Sequence, residues 1–91
     1  MERIELDILC RAISKFRNKE FDENQFQSSF STVINMITEY HNLEIRQIFE
    51  SIDCELERIT FLSNNKREDY LREIDKIESI LKENKLICPE E

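Results

Sequence analysis

The 91-residue sequence contains no glycine, no tryptophan and one proline, which is Pro89. Tight hairpins and phosphate-binding loops depend on glycine, because glycine adopts positive φ angles at little steric cost. The missing glycine therefore excludes glycine-rich nucleotide-binding motifs and disfavours a β-sheet fold. We expect an all-α chain, and its length corresponds to a single small domain.

Long apolar runs are missing as well. The mean hydropathy is −0.57, and no stretch approaches the about 18 consecutive apolar residues of a membrane-spanning helix. The first residues, Met1-Glu2-Arg3-Ile4-Glu5, lack the apolar core of a signal peptide. We therefore predict a cytoplasmic protein that makes no contact with a membrane.

Residues used in catalysis and metal binding are scarce. The one histidine, His41, lies at a predicted helix boundary, and no carboxylate forms an E-x-x-H pair with it. The three cysteines, Cys10, Cys54 and Cys88, form an odd set without a C-x-x-C pair, which is atypical of a secreted disulfide scaffold. We expect them to be reduced and buried as small apolar side chains. The sequence predicts no enzyme activity, no metal site and no cofactor.

Apolar residues recur at spacings of three and four in four segments, which is typical of amphipathic helices. The predicted helices cover about residues 1–17, 22–41, 43–62 and 66–83, followed by a tail over residues 84–91. Asn18 suits the left-handed position after the first helix. Asp22 with Gln25, and Asn65 with Glu68, are predicted to form capping boxes at the starts of the second and fourth helices.

The third segment permits two interpretations. Its apolar residues fall within one narrow arc at 100° per residue: Ile45, Ile48, Phe49, Ile52, Leu56 and Ile59. That pattern allows one long helix, but Ser51 and Asp53 are equally suited to cap a restart. Because the connections between the segments are short, neighbouring helices should be antiparallel. We predict a single-domain, up-down-up-down four-helix bundle, with a dimerising helical hairpin as the alternative.

The charge balance is strongly acidic, with 13 basic and 20 acidic residues and a net charge of −7. A nucleic-acid-binding protein needs a basic surface, because contacts with phosphate drive its affinity. An acidic surface is repelled by nucleic acid and by anionic membranes and is attracted to basic protein clefts. We therefore expect no direct binding of nucleic acid, and a partner of opposite charge if one exists.

The acidic residues are concentrated in residues 50–57, which hold four acids and no base. A helical projection places Glu50, Asp53 and Glu57 along one ridge, away from the apolar arc. Like charges at this spacing repel by about 0.2–0.5 kcal/mol per pair, so the arrangement does not favour stability. Two interpretations remain, a solvated helix face and a negative surface that binds a basic partner.

The same stretch also carries a resemblance to a known family. It consists of the run Phe49-Glu50-Ser51-Ile52-Asp53-Cys54-Glu55-Leu56-Glu57-Arg58 together with Ala12-x-x-x-Phe16, Phe21-x-x-x-x-Phe26 and Ile77-Glu78-Ser79-Ile80-Leu81. These patterns resemble the colicin D immunity family, which includes immunity proteins of contact-dependent inhibition systems, over roughly residues 6–83. The family implies a cytoplasmic four-helix protein that binds the nuclease domain of a bacterial toxin, often a ribonuclease acting on tRNA. Its acidic residues enter the basic cleft of that domain.

The resemblance also implies which residues contact the partner. Matching the family's acidic stretch, position by position, assigns this role to Glu50, Asp53, Glu55, Glu57 and Arg58. Two positions depart from the family, since isoleucine and cysteine stand at positions 52 and 54 where it has an aromatic residue and a proline. A helical backbone at this point would turn Glu55 away from the ridge.

Residues and resemblance together predict an immunity protein, a monomer or weak homodimer, that occludes a basic toxin nuclease domain. Tyr70 or Tyr40 is a candidate aromatic anchor, although both lie on apolar stripes and are expected in the core. The competing class is a structural or adaptor bundle that self-associates or completes the helical core of a partner. Such a protein would not need the acids of residues 50–57.

Overall fold

A computed structural model describes residues 3–37 and 39–86 of the chain, and the side chains of residues 4–37 and 44–86. Within these residues the chain forms four α-helices and no strand, which confirms the predicted all-α class. The helices are α1 (Arg3–Arg17), α2 (Glu23–Met36), α3 (Glu39–Leu62) and α4 (Lys66–Glu83). None of the four, over the described residues, has the length and apolar character required to cross a bilayer.

The break between α2 and α3 comes earlier than predicted. Helix α2 ends at Met36 and α3 begins at Glu39, so the predicted boundaries near residues 41 and 43 are wrong. The next residue, Ile37, has an extended backbone with φ −72° and ψ 117°, yet its side chain is buried. Its apolar character continues the helical repeat through the break, which is why the pattern does not reveal it. The carbonyl of Ile37 accepts a hydrogen bond from Arg46 Nη1 at 3.4 Å.

Helix α3 runs without interruption from Glu39 to Leu62, which decides between the two interpretations of the third segment. Neither Ser51 nor Asp53 caps a restart. The carboxylate of Asp53 instead accepts a hydrogen bond from Ser31 on α2, a partner that is distant in the sequence.

The two predicted capping boxes have different outcomes. At the start of α2, the Asp22 carboxylate accepts the Gln25 N–H at 2.8 Å and the Gln25 side chain accepts the Asp22 N–H at 3.0 Å, as predicted. At the start of α4, Asn65 occupies the N-cap but makes no side-chain capping bond. Its backbone N–H donates to Ser63 Oγ at 3.0 Å. The Ser63 hydroxyl in turn donates to the carboxylate of Asp69.

Lysine stands where many helices end on glycine. Lys19 and Lys85 have φ angles of 65° and 58°, and each follows a helix in the left-handed conformation. After α1, the N–H of Glu20 donates to the carbonyl of Lys15 at 2.8 Å, and that of Lys19 donates to Phe16 at 3.1 Å. This is the Schellman pattern of hydrogen bonds. The prediction that Asn18 takes the left-handed position is wrong by one residue.

An aromatic cluster at the centre of the core connects all four helices. Its members are buried, with Phe16 on α1, Phe26 and Phe30 on α2, Phe49 on α3 and Tyr70 on α4. Ring centroids lie 5.5 Å apart for Phe16 and Phe26, 5.3 Å for Phe30 and Phe49, and 5.7 Å for Phe16 and Tyr70. Aromatic pairs at such distances add about 0.5–1.5 kcal/mol each beyond the burial of their surface.

Backbone contacts join α1 to α2, α2 to α3, α3 to α4 and α2 to α4. Side chains also hold the start of α4 against the end of α1. Arg67 donates to the carbonyl of Phe16 at 2.8 Å and lies over the Phe16 ring, and Arg17 forms ion pairs with Asp75 and Glu78. Residues in both halves of α4 are thereby fixed to the end of α1.

The cysteines do not match the expectation of buried, reduced thiols. Cys10 is disulfide-bonded and packs against the core, whereas Cys54 on α3 is free and exposed. The third cysteine, Cys88, lies outside the described residues, as do the side chains of Tyr40 and His41 and most of the predicted tail.

Candidate functional site

Because α3 is continuous, it presents three acidic side chains in one row. Glu50, Asp53 and Glu57, here called the acidic ridge, fall within an arc of about 60° at 100° per residue. The buried residues Phe49 and Leu56 lie on the adjoining side of the same helix, with Phe49 about 40° from Asp53 in projection. The core therefore fixes the direction in which the ridge faces.

Glu50 lies at the end of the ridge nearest to the α2–α3 connection. Its side chain is exposed and accepts a hydrogen bond from Arg46 Nε at 3.1 Å. Since Arg46 also donates to the carbonyl of Ile37, it links the end of α2 to the ridge. Over the described side chains, Arg46 is the one base ion-paired with a ridge residue.

Asp53 lies in the middle of the ridge, at the seam between α2 and α3. It is partly buried, and Ser31 Oγ donates to its carboxylate at 3.4 Å. Burial raises the pKa of Asp53 above its ordinary value, while hydrogen bonds from Gln27 and Ser31 lower it and the negative charge of Glu57 raises it further. The balance leaves the pKa raised, so the ionised form is held at a site that does not favour it.

Glu57 is exposed, and no ion pair involves it among the residues that the structure describes. Burial raises the pKa of Tyr70, its hydrogen bond with Thr60 lowers it, and the negative charges of Glu23, Asp53 and Asp22 raise it further. Sequence reasoning assigned Asp22 only to helix capping and did not consider Glu23.

Glu55 and Arg58 lie elsewhere. They pair with each other at 3.6 Å and line a groove of about 410 Å³ between α3 and α4, together with Leu62, Arg72 and Lys76. The five residues predicted as partner-binding therefore do not form one surface, since three lie on the ridge and two at the groove. This is the arrangement expected of a helical backbone at positions 52–54.

The α3–α4 groove continues along the two helices. A second cavity of about 650 Å³ has the apolar residues Ile48, Ile52 and Ile80 among its lining residues. Glu73 borders both cavities and is buried, and its carboxylate lies 2.7 Å from Lys76 Nζ. The groove thus combines an apolar floor with acidic and basic side chains that form ion pairs. It forms only when α4 packs on α3, so the pattern of one helix does not predict it.

The C-terminal end of α3 carries two exposed apolar side chains. Phe61 is 78% exposed and Leu62 is 75% exposed. Phe61 follows Glu57 by four residues and so continues the ridge, whereas Leu62 faces the α3–α4 groove. Tyr70, one candidate aromatic anchor, is buried in the core. The sequence pattern was not used to identify Phe61. Its position almost opposite the apolar arc of α3 indicates an exposed aromatic side chain.

No group of three histidine, cysteine or carboxylate side chains is placed to hold a metal ion within residues 3–37 and 39–86. Comparison of the chain with protein-family models, with curated protein sequences and with solved structures found no match. The resemblance to the colicin D immunity family therefore rests on the residues quoted above.

Proposed function

We propose that this chain is an immunity protein that binds the basic nuclease domain of a bacterial toxin and blocks its active-site cleft. The preferred target is a ribonuclease domain that cleaves tRNA, as the resemblance to the colicin D immunity family implies. The observation that carries the proposal is the unbroken helix α3, which places Glu50, Asp53 and Glu57 in one row on the surface.

A rigid row of carboxylates suits a cleft built for phosphates. The ridge residues follow one another at rises of roughly 4.5 Å and 6 Å along the helix axis. Complementary charge would steer the encounter and raise the association rate towards 10⁸ M⁻¹s⁻¹ or so at low salt. Desolvated charge pairs would then slow dissociation.

We also propose the finer architecture, an antiparallel up-down bundle that acts as a monomer or weak homodimer in the cytoplasm. Side-chain pairs between consecutive helices support the antiparallel order. Between α2 and α3, Ser31 contacts Asp53, while Ile37, directly after α2, contacts Arg46, earlier in α3. Between α3 and α4, Ser63 bonds to Asp69 and the earlier residue Leu56 bonds to the later residue Tyr70.

The test uses the C-terminal domain encoded by the gene directly before the gene for this chain, because an immunity gene should follow its toxin gene. Its affinity for the wild-type chain is compared with that for Glu50→Gln with Asp53→Asn. The ridge variant should lose about 2–5 kcal/mol of binding free energy, mainly through faster dissociation.

The matched control is Glu68→Gln with Glu83→Gln, which removes the same charge from exposed positions of α4. It should bind within about 0.5 kcal/mol of the wild-type chain, because rim charges at a distance contribute little. If the wild-type chain does not bind the domain or inhibit its nuclease activity, the proposal is wrong. Equal losses in both variants would leave the ridge without a specific role.

The α3–α4 groove favours a second candidate, a structural or adaptor bundle. Ile48 lines the floor of the groove and is partly exposed to solvent. A helix of another chain could cover it. This candidate predicts self-association or helix binding that Ile48→Glu abolishes and that the ridge variant leaves intact. Sedimentation over a concentration series distinguishes the two candidates.

A further inference from the structure

We infer that Phe61 is the apolar anchor of the acidic ridge, filling an apolar pocket beside the basic cleft of the partner domain. This inference rests on the proposed function. Phe61 would add an apolar contact to the charged contacts of the acidic ridge. The expected partner surface is therefore basic with an apolar depression next to the basic groups, rather than uniformly charged.

The position of Phe61 is set by rigid structure. It lies in the last turn of α3, where the N–H of Ser63 still donates to the carbonyl of Ile59 at 2.9 Å. Phe61 follows Glu57 by four positions, so the two side chains are neighbours on one face of the helix. An aromatic side chain on a helix loses little conformational freedom when it binds, so the entropic cost of ordering it is small.

The exposure of Phe61 contrasts with that of the core phenylalanines. Phe16, Phe26, Phe30 and Phe49 are fully buried, whereas Phe61 is 78% exposed. A buried aromatic side chain removes about 150–250 Å² from water, and most of that gain is not realised in the isolated chain. Binding hot spots are enriched in aromatic residues surrounded by polar groups, and Glu57 provides such a neighbour here.

The charge around Phe61 selects its occupant. Arg58, three residues before Phe61, is paired with Glu55, so Glu57 is the neighbouring charge that has no ion pair among the described residues. A two-fold symmetric contact between two copies through Phe61 would place the Glu57 side chains of both copies close together. Like charges brought together at an interface are unfavourable, and each copy carries a net charge of −7. A basic domain offers the opposite charge to Glu57 and Glu50, so it is the complementary occupant.

The experiment measures binding of the same neighbouring-gene domain to Phe61→Ala, with Phe61→Tyr as the conservative variant. The matched control is Ile4→Ala, which shortens a side chain that is 67% exposed on α1. Phe61→Ala should weaken binding by about thirtyfold or more, through faster dissociation. Its salt dependence should equal that of the wild-type chain, because no charge is removed. Phe61→Tyr and Ile4→Ala should bind almost as the wild-type chain does.

The outcomes separate this inference from the function on which it rests. A wild-type chain that fails to bind overturns both. Wild-type binding that depends on Glu50 and Asp53 but survives Phe61→Ala overturns this inference alone. A wild-type dimer that Phe61→Ala converts to a monomer would show that a second copy occupies the site, which also overturns it. Unchanged thermal unfolding of Phe61→Ala shows that a loss of binding does not come from misfolding.

Discussion

The hydroxyl of Ser31 on α2 donates to the carboxylate of Asp53 on α3 at 3.4 Å. This contact places the middle of the acidic ridge at a helix–helix seam, where the carboxylate is partly removed from water. Burial raises its pKa, so the folded domain holds an ionised group where a neutral one would be more favourable. Carboxylates retained at such positions are candidates for function, because stability alone would not select them.

The raised pKa of Asp53 makes a prediction about stability and pH. Because the folded state binds this proton more tightly than the unfolded state, the contribution of Asp53 is most favourable below about pH 4. It is lost as the pH rises through the raised pKa. Asp53→Asn keeps an oxygen acceptor for Ser31 and removes the charge, so it should unfold at a higher temperature than the wild-type chain at pH 7.

The difference between Asp53→Asn and the wild-type chain should shrink as the pH is lowered through about 4, because the wild-type carboxyl becomes protonated in both states below that pH. Thermal unfolding followed by circular dichroism from pH 3.5 to 7.5 measures it. Glu83→Gln, which removes one exposed charge, corrects for the change in net charge. A variant less stable than the wild-type chain at pH 7 would contradict the pKa argument.

The hydroxyl of Tyr70 makes a second prediction. It lies 2.5 Å from Thr60 Oγ1 and donates to the carbonyl of Leu56 at 3.3 Å, and the tyrosine is fully buried. Tyr70→Phe keeps the ring in the aromatic cluster and removes the hydrogen bonds, so it should cost about 1 kcal/mol of unfolding free energy. Urea unfolding of Tyr70→Phe, Thr60→Val and the double variant gives the coupling between the two hydroxyls. Strict additivity would show that they do not interact.

The helices could be predicted because their determinants are local. The apolar repeat and the Asp22–Gln25 capping box each act within a few residues. The missing glycine disfavours strands and hairpins along the whole chain. The break at Ile37 was not visible, because a buried isoleucine continues the apolar repeat whether the backbone is helical or extended. Its carbonyl is satisfied by Arg46, a contact that exists only after α3 has folded back.

The acidic ridge was predictable as a row on one helix, but its surroundings were not. Asp53 interacts with Ser31 and Gln27, which lie on another helix. The local sequence around Asp53 is the same whether it caps a helix or lies between two helices, so that sequence does not distinguish the two roles. The separation of Glu55 from the ridge follows from the helical backbone and is visible in a single helical projection. The α3–α4 groove that Glu55 lines depends on how α4 packs, which that projection does not contain.

The left-handed lysine after α1 makes a third prediction, about stability. Lys19 has a φ angle of 65°, a conformation that costs a residue with a side chain roughly 1–2 kcal/mol. Lys19→Gly should therefore raise the unfolding free energy, by up to about 1 kcal/mol once the greater freedom of glycine in the unfolded chain is subtracted. Lys82→Gly, within the last turn of α4, should instead lower it by about 1 kcal/mol. Chemical denaturation measures both, and a loss of stability in Lys19→Gly would contradict the proposed backbone cost.

The free thiol of Cys54 allows a test of the ridge without altering any acid. Cys54 is exposed and lies four residues after Glu50 and three before Glu57, so it shares their helix face. A maleimide should label it in the native protein, while the disulfide-bonded Cys10 should stay unlabelled until it is reduced; peptide mapping distinguishes the two sites. If the ridge enters a partner's cleft, an adduct at Cys54 should abolish binding of the neighbouring-gene domain by steric exclusion. Cys54→Ser treated with the same reagent should bind as the untreated wild-type chain does, and full binding by the labelled wild-type chain would place the interface on another face of the domain.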